Sequence, residues 1–472
     1  MKKSIKRVLC LFCALLMLVF AMTACGGDNE VDVSNGSSDS TGANNAQSDV
    51  VANKPVIEEG SKYASEDWDP YAAIQSSKGK TVRFATWIDH NETEGAVPLA
   101  NFEQDTGLKV SLYKVEQTNY VNALMTKIAS GDIPDVFVNN EAAGDFPMTL
   151  QIAAPINKVS TVDLQEPIWD QTIIATATIE GNIYLVNTIG TPWSGGNMTF
   201  YNKRFFEENG FKTPEEYYEE GKWTWVNLLK CAKDIKALGD DYKGAVIESD
   251  ILIDSLNAGF IKYDVKTANF YSGINEKNLL EGYQWYAEAR DQGLLDGSIE
   301  SFAEGKCGLV VRGPYGLKNT GYFMNMNPED VGFTYLPTLE EGQKPTSSSI
   351  YRMYGIIENA PNANEAGYFI RYWLDPDNYD LNNTFLTNAA GNFYYNLINL
   401  PADQKYFNHE NACVALIGET NAASAFRDKV RKADSAGVKT AIDESANKVD
   451  KAIAEANKMI QDKIAADKAK YK

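Results

Sequence analysis

The stretch Thr81-Val82-Arg83-Phe84-Ala85-Thr86-Trp87 decides the fold class of this chain. Its β-branched and aromatic residues, which follow a Gly-Lys entry, predict a strand. A helix is predicted next over Pro98–Asp105, and Gly107 stands where a left-handed helix cap is required. Leu108–Val115 then predicts a second strand.

The residues that follow repeat this pattern. An apolar stripe that begins at Tyr120 predicts a helix ended by Gly131. Pro134 precedes a third predicted strand, Asp135–Asn139. Strand-helix-strand-helix-strand at this spacing predicts right-handed crossovers and a parallel sheet with helices on both faces, which is the α/β class.

Polar and aromatic residues follow these strands at the sheet edge where such folds bind ligands. An aromatic face together with carboxylates and amides suits a polyhydroxylated molecule, which presents apolar C–H faces and polar rims. The candidate ligand-binding residues at the strand ends are Trp87, Asp89, Gln117, Asn139, Asn140 and Glu141.

Several segments, taken in order, carry a family resemblance. They are Phe102–Gly107, Tyr120–Phe137, Asn182–Tyr184, Phe200–Lys203, Phe205–Gly210, Trp223–Leu228, Phe302–Val310, Gly313–Tyr315 and Val331–Pro337. Together they resemble the extracellular solute-binding proteins of ABC importers, in the oligosaccharide-type cluster that includes maltose-binding protein. The chain departs from the family pattern at Gly181-Asn182-Ile183, where Gly-Lys-x is usual, and residues 375–406 have no close match.

The resemblance implies a two-lobed, periplasmic-binding-protein-like fold of type II, with a hinge between the lobes and a helical C-terminus. Each lobe is expected to be discontinuous in sequence. The expected boundaries are 78–188 and 331–374 for lobe 1, and 189–330 and 375–472 for lobe 2. Residues 428–470 are rich in Ala, Lys, Asp and Glu and predict one or two long amphipathic helices against the second lobe.

Aromatic residues and arginines near the expected lobe crossings complete the candidate site. Trp193 lies in a turn-rich segment near the first crossing, where an indole has no core to enter. The resemblance makes Tyr315 a ligand-facing aromatic residue, and Tyr351 is a further aromatic residue at a strand end. Arg312 and Arg352 are candidate bidentate donors to hydroxyls, or to a carboxylate if the solute is acidic.

Residues 1–24 predict a signal peptide, because four basic residues precede the apolar run Val8–Phe20. Met22-Thr23-Ala24-Cys25 resembles a bacterial lipoprotein signal, in which the cysteine is diacylated and becomes the mature N-terminus; Met22 replaces the usual Leu. The alternative is an uncleaved membrane anchor, although the run is short of the roughly 20 residues that a span requires. Residues 25–77, Gly-, Asn-, Ser- and Asp-rich in their first part, predict a flexible tether.

Composition argues against several functional classes. The net charge is −20, and removal of residues 1–24, with four positive and no negative charges, makes it −24. Nucleic acid and anionic lipid are therefore poor partners. The chain has two histidines, His90 and His409, which disfavours zinc hydrolase and Ser-His-Asp chemistry. Three widely spaced cysteines remain after the signal peptide, so we expect buried thiols without a disulfide scaffold or metal site; they are Cys231, Cys307 and Cys413.

We therefore expect a binding protein and not an enzyme. It would be a monomer without cofactor, lipid-anchored at the extracellular face of the cytoplasmic membrane. It would capture a solute, a sugar or oligosaccharide, by hinge closure and deliver it to ABC permease subunits. The alternative is a surface-anchored carbohydrate-active hydrolase that uses paired carboxylates such as Asp89 and Glu141. A third class, a helical surface-interaction protein, rests on the C-terminal helices.

Overall fold

The chain forms two larger β-sheets and a small sheet whose strands lead into them. The computed structural model describes residues 68–93, 95–139, 146–189, 194–323, 325–379, 384–401, 404–406, 408–419 and 423–471. Cys25, most of the predicted tether, Asn140, Glu141 and Trp193 lie outside the described residues.

The strands are short and follow one another along the whole described chain. They are β1 Thr81–Thr86, β2 Lys109–Lys114, β3 Val136–Asn139, β4 Ala153–Ala154, β5 Thr178–Ile179, β6 Asn182–Ile183, β7 Ser194–Gly196, β8 Met198–Asn202, β9 Lys243–Ile247, β10 Ile261–Asp264, β11 Asn269–Ser272, β12 Cys307–Arg312, β13 Val331–Thr334, β14 Ser347–Tyr351, β15 Met353–Ile357 and β16 Lys405–Tyr406.

The helices range from about one and a half to about four turns, apart from the last one, which is longer. They are α1 Ala96–Thr106, α2 Tyr120–Ala129, α3 Gln171–Thr176, α4 Lys203–Glu208, α5 Pro214–Glu219, α6 Trp225–Lys236, α7 Ser249–Ser255, α8 Lys277–Asp291, α9 Ile299–Ala303, α10 Ala363–Trp373, α11 Asn388–Ile398, α12 Glu410–Ala415, α13 Asp428–Lys432, α14 Val438–Asp443 and α15 Ala446–Lys470.

The first sheet confirms the strands and helices predicted for residues 81–139. Its order is β2-β1-β3-β15-β4, with β1 parallel to both β2 and β3 and β15 antiparallel to β3. Gly107 ends α1 with a φ of 72°, and its amide donates to the Glu103 carbonyl, as the predicted left-handed cap requires. The α/β class is thus already established by residues 81–139.

The second sheet has the order β13-β8-β12-β9, with β12 parallel to β9 and antiparallel to β8. β13, which the sequence prediction assigned to lobe 1, pairs antiparallel with β8, Val331 lying opposite Asn202. The chain returns to the first sheet only with β15. The pairing of β13 depends on a strand far away in sequence, so the local pattern could not reveal it.

A small sheet of β16, β14 and β7 joins the two larger ones. β7 is followed directly by β8 of the second sheet, and β14 directly by β15 of the first. These two connecting strands pair antiparallel, with Ile350 opposite Gly195. The connections between the sheets are therefore held to each other by backbone hydrogen bonds.

The C-terminal region forms three helices, α13, α14 and α15, where one or two were predicted. α15 contacts β11, in the segment predicted for lobe 2, and also β4, in the segment predicted for lobe 1. Asn457 exchanges two hydrogen bonds with the backbone of Phe270 in β11. Six residues later, Lys463 Nζ donates to the Ala153 carbonyl in β4, 2.7 Å away. A 25-residue helix is long enough to reach both, which its amphipathic pattern alone did not show.

In the part of the chain that the structure describes, no helix is both long enough and apolar enough to cross a bilayer.

Candidate functional site

The carboxyl ends of the two sheets border the same connection. β15 begins at Met353, opposite Asn139 at the end of β3. β8 begins at Met198, opposite Arg312 at the end of β12. Since the paired strands β7 and β14 lead directly into β8 and β15, the ends of β3 and β12 both lie next to this connection. Strand ends at such a position are where α/β folds bind ligands.

Trp87 and Arg352 form the site's first cluster, on the first sheet. The Trp87 ring stands edge-on to Tyr120, with ring centroids 5.5 Å apart, and the Arg352 guanidinium carbon lies 5.9 Å from its centroid. Tyr120 is a rigid support, because its hydroxyl donates to the Ala85 carbonyl and accepts from the Val138 amide. Burial raises the pKa of Tyr120 far above its ordinary value, so this hydroxyl stays protonated. The half-buried Trp87 ring is thus held in place by neighbouring strands.

Arg312, Glu248, Tyr315 and Tyr322 form the second cluster, at the end of β12. Arg312 Nη2 is ion-paired with Glu248 Oε1, and the guanidinium carbon lies 4.9 Å from the centroid of the Tyr322 ring. Tyr322 stands edge-on to Tyr315, with centroids 5.1 Å apart. Tyr315 is 46% exposed and Tyr322 is 39% exposed. Two tyrosine rings are therefore available to solvent beside a guanidinium whose charge is already paired.

The loop after β12 holds these tyrosines through close backbone approaches. A Cβ at Gly321 would lie 1.7 Å from the Tyr315 carbonyl oxygen, so only glycine lets the chain fold back at this point. The next residue but one, Phe323, is fully buried and packs edge-on against Phe200, with centroids 5.0 Å apart. Gly321 thus brings Tyr322 beside Tyr315, and Phe323 anchors the loop in the core.

Three further predicted site residues lie in three different environments. Asn139 is fully buried, and its Oδ1 accepts from Thr149 Oγ1 at 2.8 Å, a contact that gives it a structural role in this conformation. Asp89 is exposed and caps the turn His90–Glu92 by accepting from the Asn91 amide. Tyr351 ends β14, and its side chain is not described.

The sequence analysis did not identify two members of the candidate site, Glu248 and Tyr322. A signal for Tyr322 was present, because it follows a glycine in a turn-rich segment shortly after the predicted Tyr315. No local signal marks Glu248, since it lies between β9 and α7 and meets Arg312 only through the pairing of β9 with β12.

The two histidines and the three described cysteines are buried. His90 stacks on Phe84 at 5.4 Å, and His409 lies 5.7 Å from Phe146, each in a buried aromatic environment. The three described cysteines are buried, as the sequence predicted. Burial raises the pKa of Cys231 to about 12 and of Cys307 to about 11, so both thiols are protonated at neutral pH.

Comparison with known proteins identifies a matching family and several similar structures. Residues 89–380 match the family model for bacterial extracellular solute-binding proteins. No curated protein sequence matches significantly. The sugar-binding protein MalE from Xanthomonas citri is similar in structure, with a TM-score of 0.60 at 15% identity over 81% of this chain and 99% of that one. A binding protein from B. animalis subsp. lactis Bl-04, solved with β-1,6-galactobiose, gives a TM-score of 0.57 at 16% identity over 80% and 99%.

MalE from Listeria monocytogenes, solved with maltose, gives a TM-score of 0.55 at 15% identity over 80% of this chain and 98% of that one. At such identities the likeness concerns the fold, which is the two-lobed type II fold that the sequence predicted. The family match covers more than half of the chain and includes the described residues of both clusters apart from Trp87. This chain therefore belongs to the bacterial extracellular solute-binding proteins, and its function is to bind a solute.

Proposed function

We propose that this solute-binding protein captures a sugar or oligosaccharide and delivers it to an ABC importer. The observation that carries the proposal is the placement of the two clusters. Each combines an aromatic ring with a guanidinium, and each lies at the carboxyl end of a different sheet, beside the paired strands β7 and β14. Aromatic faces match the apolar C–H faces of a sugar ring, while guanidinium groups donate to hydroxyls. The sugars named in the similar structures point in the same direction.

Capture by hinge closure follows from the connection between the clusters. We propose that lobe 1 contains residues 78–188 and resumes near β15, and that lobe 2 begins near β7 and includes β13. A solute that contacts both clusters stabilises the closed form, because only that form completes its contacts. We propose that the protein is a monomer that releases its solute unchanged, and its membership of a family of binding proteins supports this.

A thermal-shift screen tests the proposal. The mature protein is melted with maltose, β-1,6-galactobiose, a set of monosaccharides and a set of amino acids. We expect at least one sugar and no amino acid to raise the melting temperature, since a solute that binds only the native state must stabilise it. Stabilisation by amino acids alone would refute the sugar assignment. Hydrolysis of chromogenic glycosides by the purified protein would establish the hydrolase instead.

We further propose that Cys25 carries a lipid that anchors the protein outside the cytoplasmic membrane. The signal Met22-Thr23-Ala24-Cys25 supports this. Stable anchoring requires two acyl chains, which a diacylated cysteine provides. Cys25→Ser should release the protein into the medium or leave it unprocessed. A Ser variant that stays with membranes at the mature size would exclude this anchor.

A further inference from the structure

The ion pair between Arg312 and Glu248 determines the charge of the second cluster. Arg312 is the last residue of β12, and its side chain is 28% exposed. Its partner, Glu248, is 49% exposed and stands immediately before α7. Because the guanidinium is both ion-paired and placed against Tyr322, its positive charge is largely compensated before any solute arrives.

The surroundings of this pair are anionic. Asp250 and Asp254 lie in the adjacent α7, and Glu410 joins them around the buried Arg427. With Arg312 and Glu248 included, these groups comprise four carboxylates and two guanidiniums. Carboxylates are in excess, and Glu248 and Asp250 both stand at the start of α7, next to the end of β12 through the pairing of β9 with β12. An anionic solute would have to displace Glu248 from Arg312 and would still face this excess.

We propose that Glu248 is a specificity-determining residue that restricts the site to uncharged carbohydrates and rejects acidic sugars such as uronides. This inference rests on the proposed function and adds to it the charge of the solute. Glu248 compensates Arg312, which keeps the guanidinium beside the Tyr322 ring as a donor to hydroxyls. Tyr315 and Tyr322 then supply a neutral stacking surface. Discrimination arises from the repulsive element, the Glu248 carboxylate, as much as from the attractive one.

Glu248→Gln is the direct test, because glutamine keeps an oxygen that accepts from Arg312 and removes only the charge. Binding is measured by calorimetry with maltose and β-1,6-galactobiose as neutral probes and digalacturonate as the acidic probe. In the unsubstituted protein we expect a neutral probe to bind at least a hundredfold more tightly than digalacturonate. In the variant we expect digalacturonate to gain about tenfold or more, with neutral probes changed less than threefold. The gain should shrink at high salt, where exposed charges are screened.

Glu304→Gln is the matched control. Glu304 is exposed and pairs with Lys306 at 2.9 Å, just before the opposite end of β12. The six residues of that strand separate the two glutamates by roughly 20 Å. The control removes the same charge and should leave both affinities unchanged. An equal gain in both variants would reduce the effect to net charge and overturn the inference.

Two further outcomes separate the inference from the proposed function. If digalacturonate binds the unsubstituted protein more tightly than the neutral probes, Glu248 does not exclude acids and the inference fails, while sugar binding stands. If no neutral or acidic sugar, in the probes or in the wider screen, binds either protein, the sugar assignment fails and the inference fails with it.

Discussion

Trp87 contrasts with the core tryptophans in its surroundings. It is half-buried, supported on one side by Tyr120 and approached by Arg352, whereas Trp169 is 1% exposed and its Nε1 donates to the Asp163 carbonyl at 2.8 Å. An aromatic side chain that becomes buried against a solute contributes about 1.5 to 3 kcal/mol, while deletion of a buried one costs about 3 to 5 kcal/mol of stability.

Trp87→Ala should therefore weaken binding of a stabilising sugar by roughly ten- to a hundredfold, since about 1.4 kcal/mol corresponds to one decade. The melting temperature of the unliganded protein should change little. Trp169→Ala, the control, should leave the affinity for the sugar largely unchanged and should lower the melting temperature of the unliganded protein. Calorimetric titration and melting of both variants measure this. An unchanged affinity combined with a large loss of stability in the Trp87 variant would make it a packing residue.

Trp193 stays a prediction, because it lies outside the described residues. The turn-rich sequence around it still favours a solute-facing indole. Trp193→Ala is expected to weaken binding by roughly ten- to a hundredfold, because the apolar area of the indole would no longer be buried against the solute. The melting temperature of the unliganded protein should change little. A variant with normal affinity and a collapsed melting temperature would place this indole in the core.

At the scale of elements, a buried charge network joins α7 to the C-terminal region. Arg427 Nε lies 2.6 Å from Glu410 Oε2 and Arg427 Nη2 lies 3.4 Å from Asp254 Oδ1. Burial raises the pKa of Asp254 from its ordinary 3.8 to about 7; Arg427 opposes this rise, and Asp250 and Glu410 add to it. The folded state therefore binds more protons than the unfolded state between these two values. This contribution to stability is complete below about pH 4 and is lost as the pH rises through 7.

Asp254→Asn should flatten the fall in stability between pH 5 and pH 8. The contribution of one proton to the slope is at most about 1.4 kcal/mol per pH unit. Asparagine keeps the oxygen that accepts from Asn408 Nδ2, so the hydrogen bond survives. Urea denaturation at several pH values measures the slope. As the control, Asp234→Asn changes an exposed pair with Lys230 and should leave the slope unchanged. An unaltered slope in the Asp254→Asn variant would contradict the raised pKa of Asp254.

A buried ion pair ties the small sheet to the helix that precedes β5. Lys405 Nζ in β16 lies 3.1 Å from Asp170 Oδ2, and the two side chains are 5% and 7% exposed. Asp170 also caps α3 through its other oxygen, which accepts from the Thr172 amide. Lys405→Met would strand a buried carboxylate, so we expect a loss of about 3 to 5 kcal/mol in the free energy of unfolding.

Adding Asp170→Asn to that variant should recover part of the loss, because the stranded charge is then removed. Lys448→Met provides the control, since its pair with Glu419 is largely exposed and should cost less than about 1 kcal/mol. Denaturant titration compares all four proteins. If Lys405→Met costs no more than Lys448→Met, the buried pair does not stabilise the connection between the sheets.

At the scale of the whole molecule, the two larger sheets are linked at the small sheet, and α15 bridges the first sheet and the antiparallel pair β10 and β11. Asn457 and Lys463 on this helix hold β11 and β4, and Lys463 also lies 3.4 Å from Glu358 after β15. Closure by a hinge should therefore compact the molecule on binding without unfolding either sheet. Small-angle scattering with and without a saturating sugar measures the radius of gyration. We expect a smaller radius with the sugar, and an unchanged one would count against hinge closure.

The fold class followed from local rules. β1, α1, β2, α2 and β3 were predictable because strand propensity, helical periodicity and glycine caps act over a few residues, and Gly107 and Gly131 both adopt positive φ where the helices end. The two tyrosines of the second cluster show the limit of such rules. Tyr315 was identified by resemblance, whereas Tyr322 reaches it only through the chain reversal at Gly321.

The sequence by itself determined the α/β alternation, the chain's acidity, the family to which it belongs and several candidate residues at strand ends. The tertiary structure decided which of those residues are buried and which charged partners they have. Asn139 has the composition of a ligand-binding residue, yet the packing of Thr149 against it buries it. The sequence left open whether Arg312 has a charged partner, and the pairing of β9 with β12 sets Glu248 beside it. The physical reason is the same in both cases: burial and charge at a site depend on partners distant in sequence, which only strand pairing brings together.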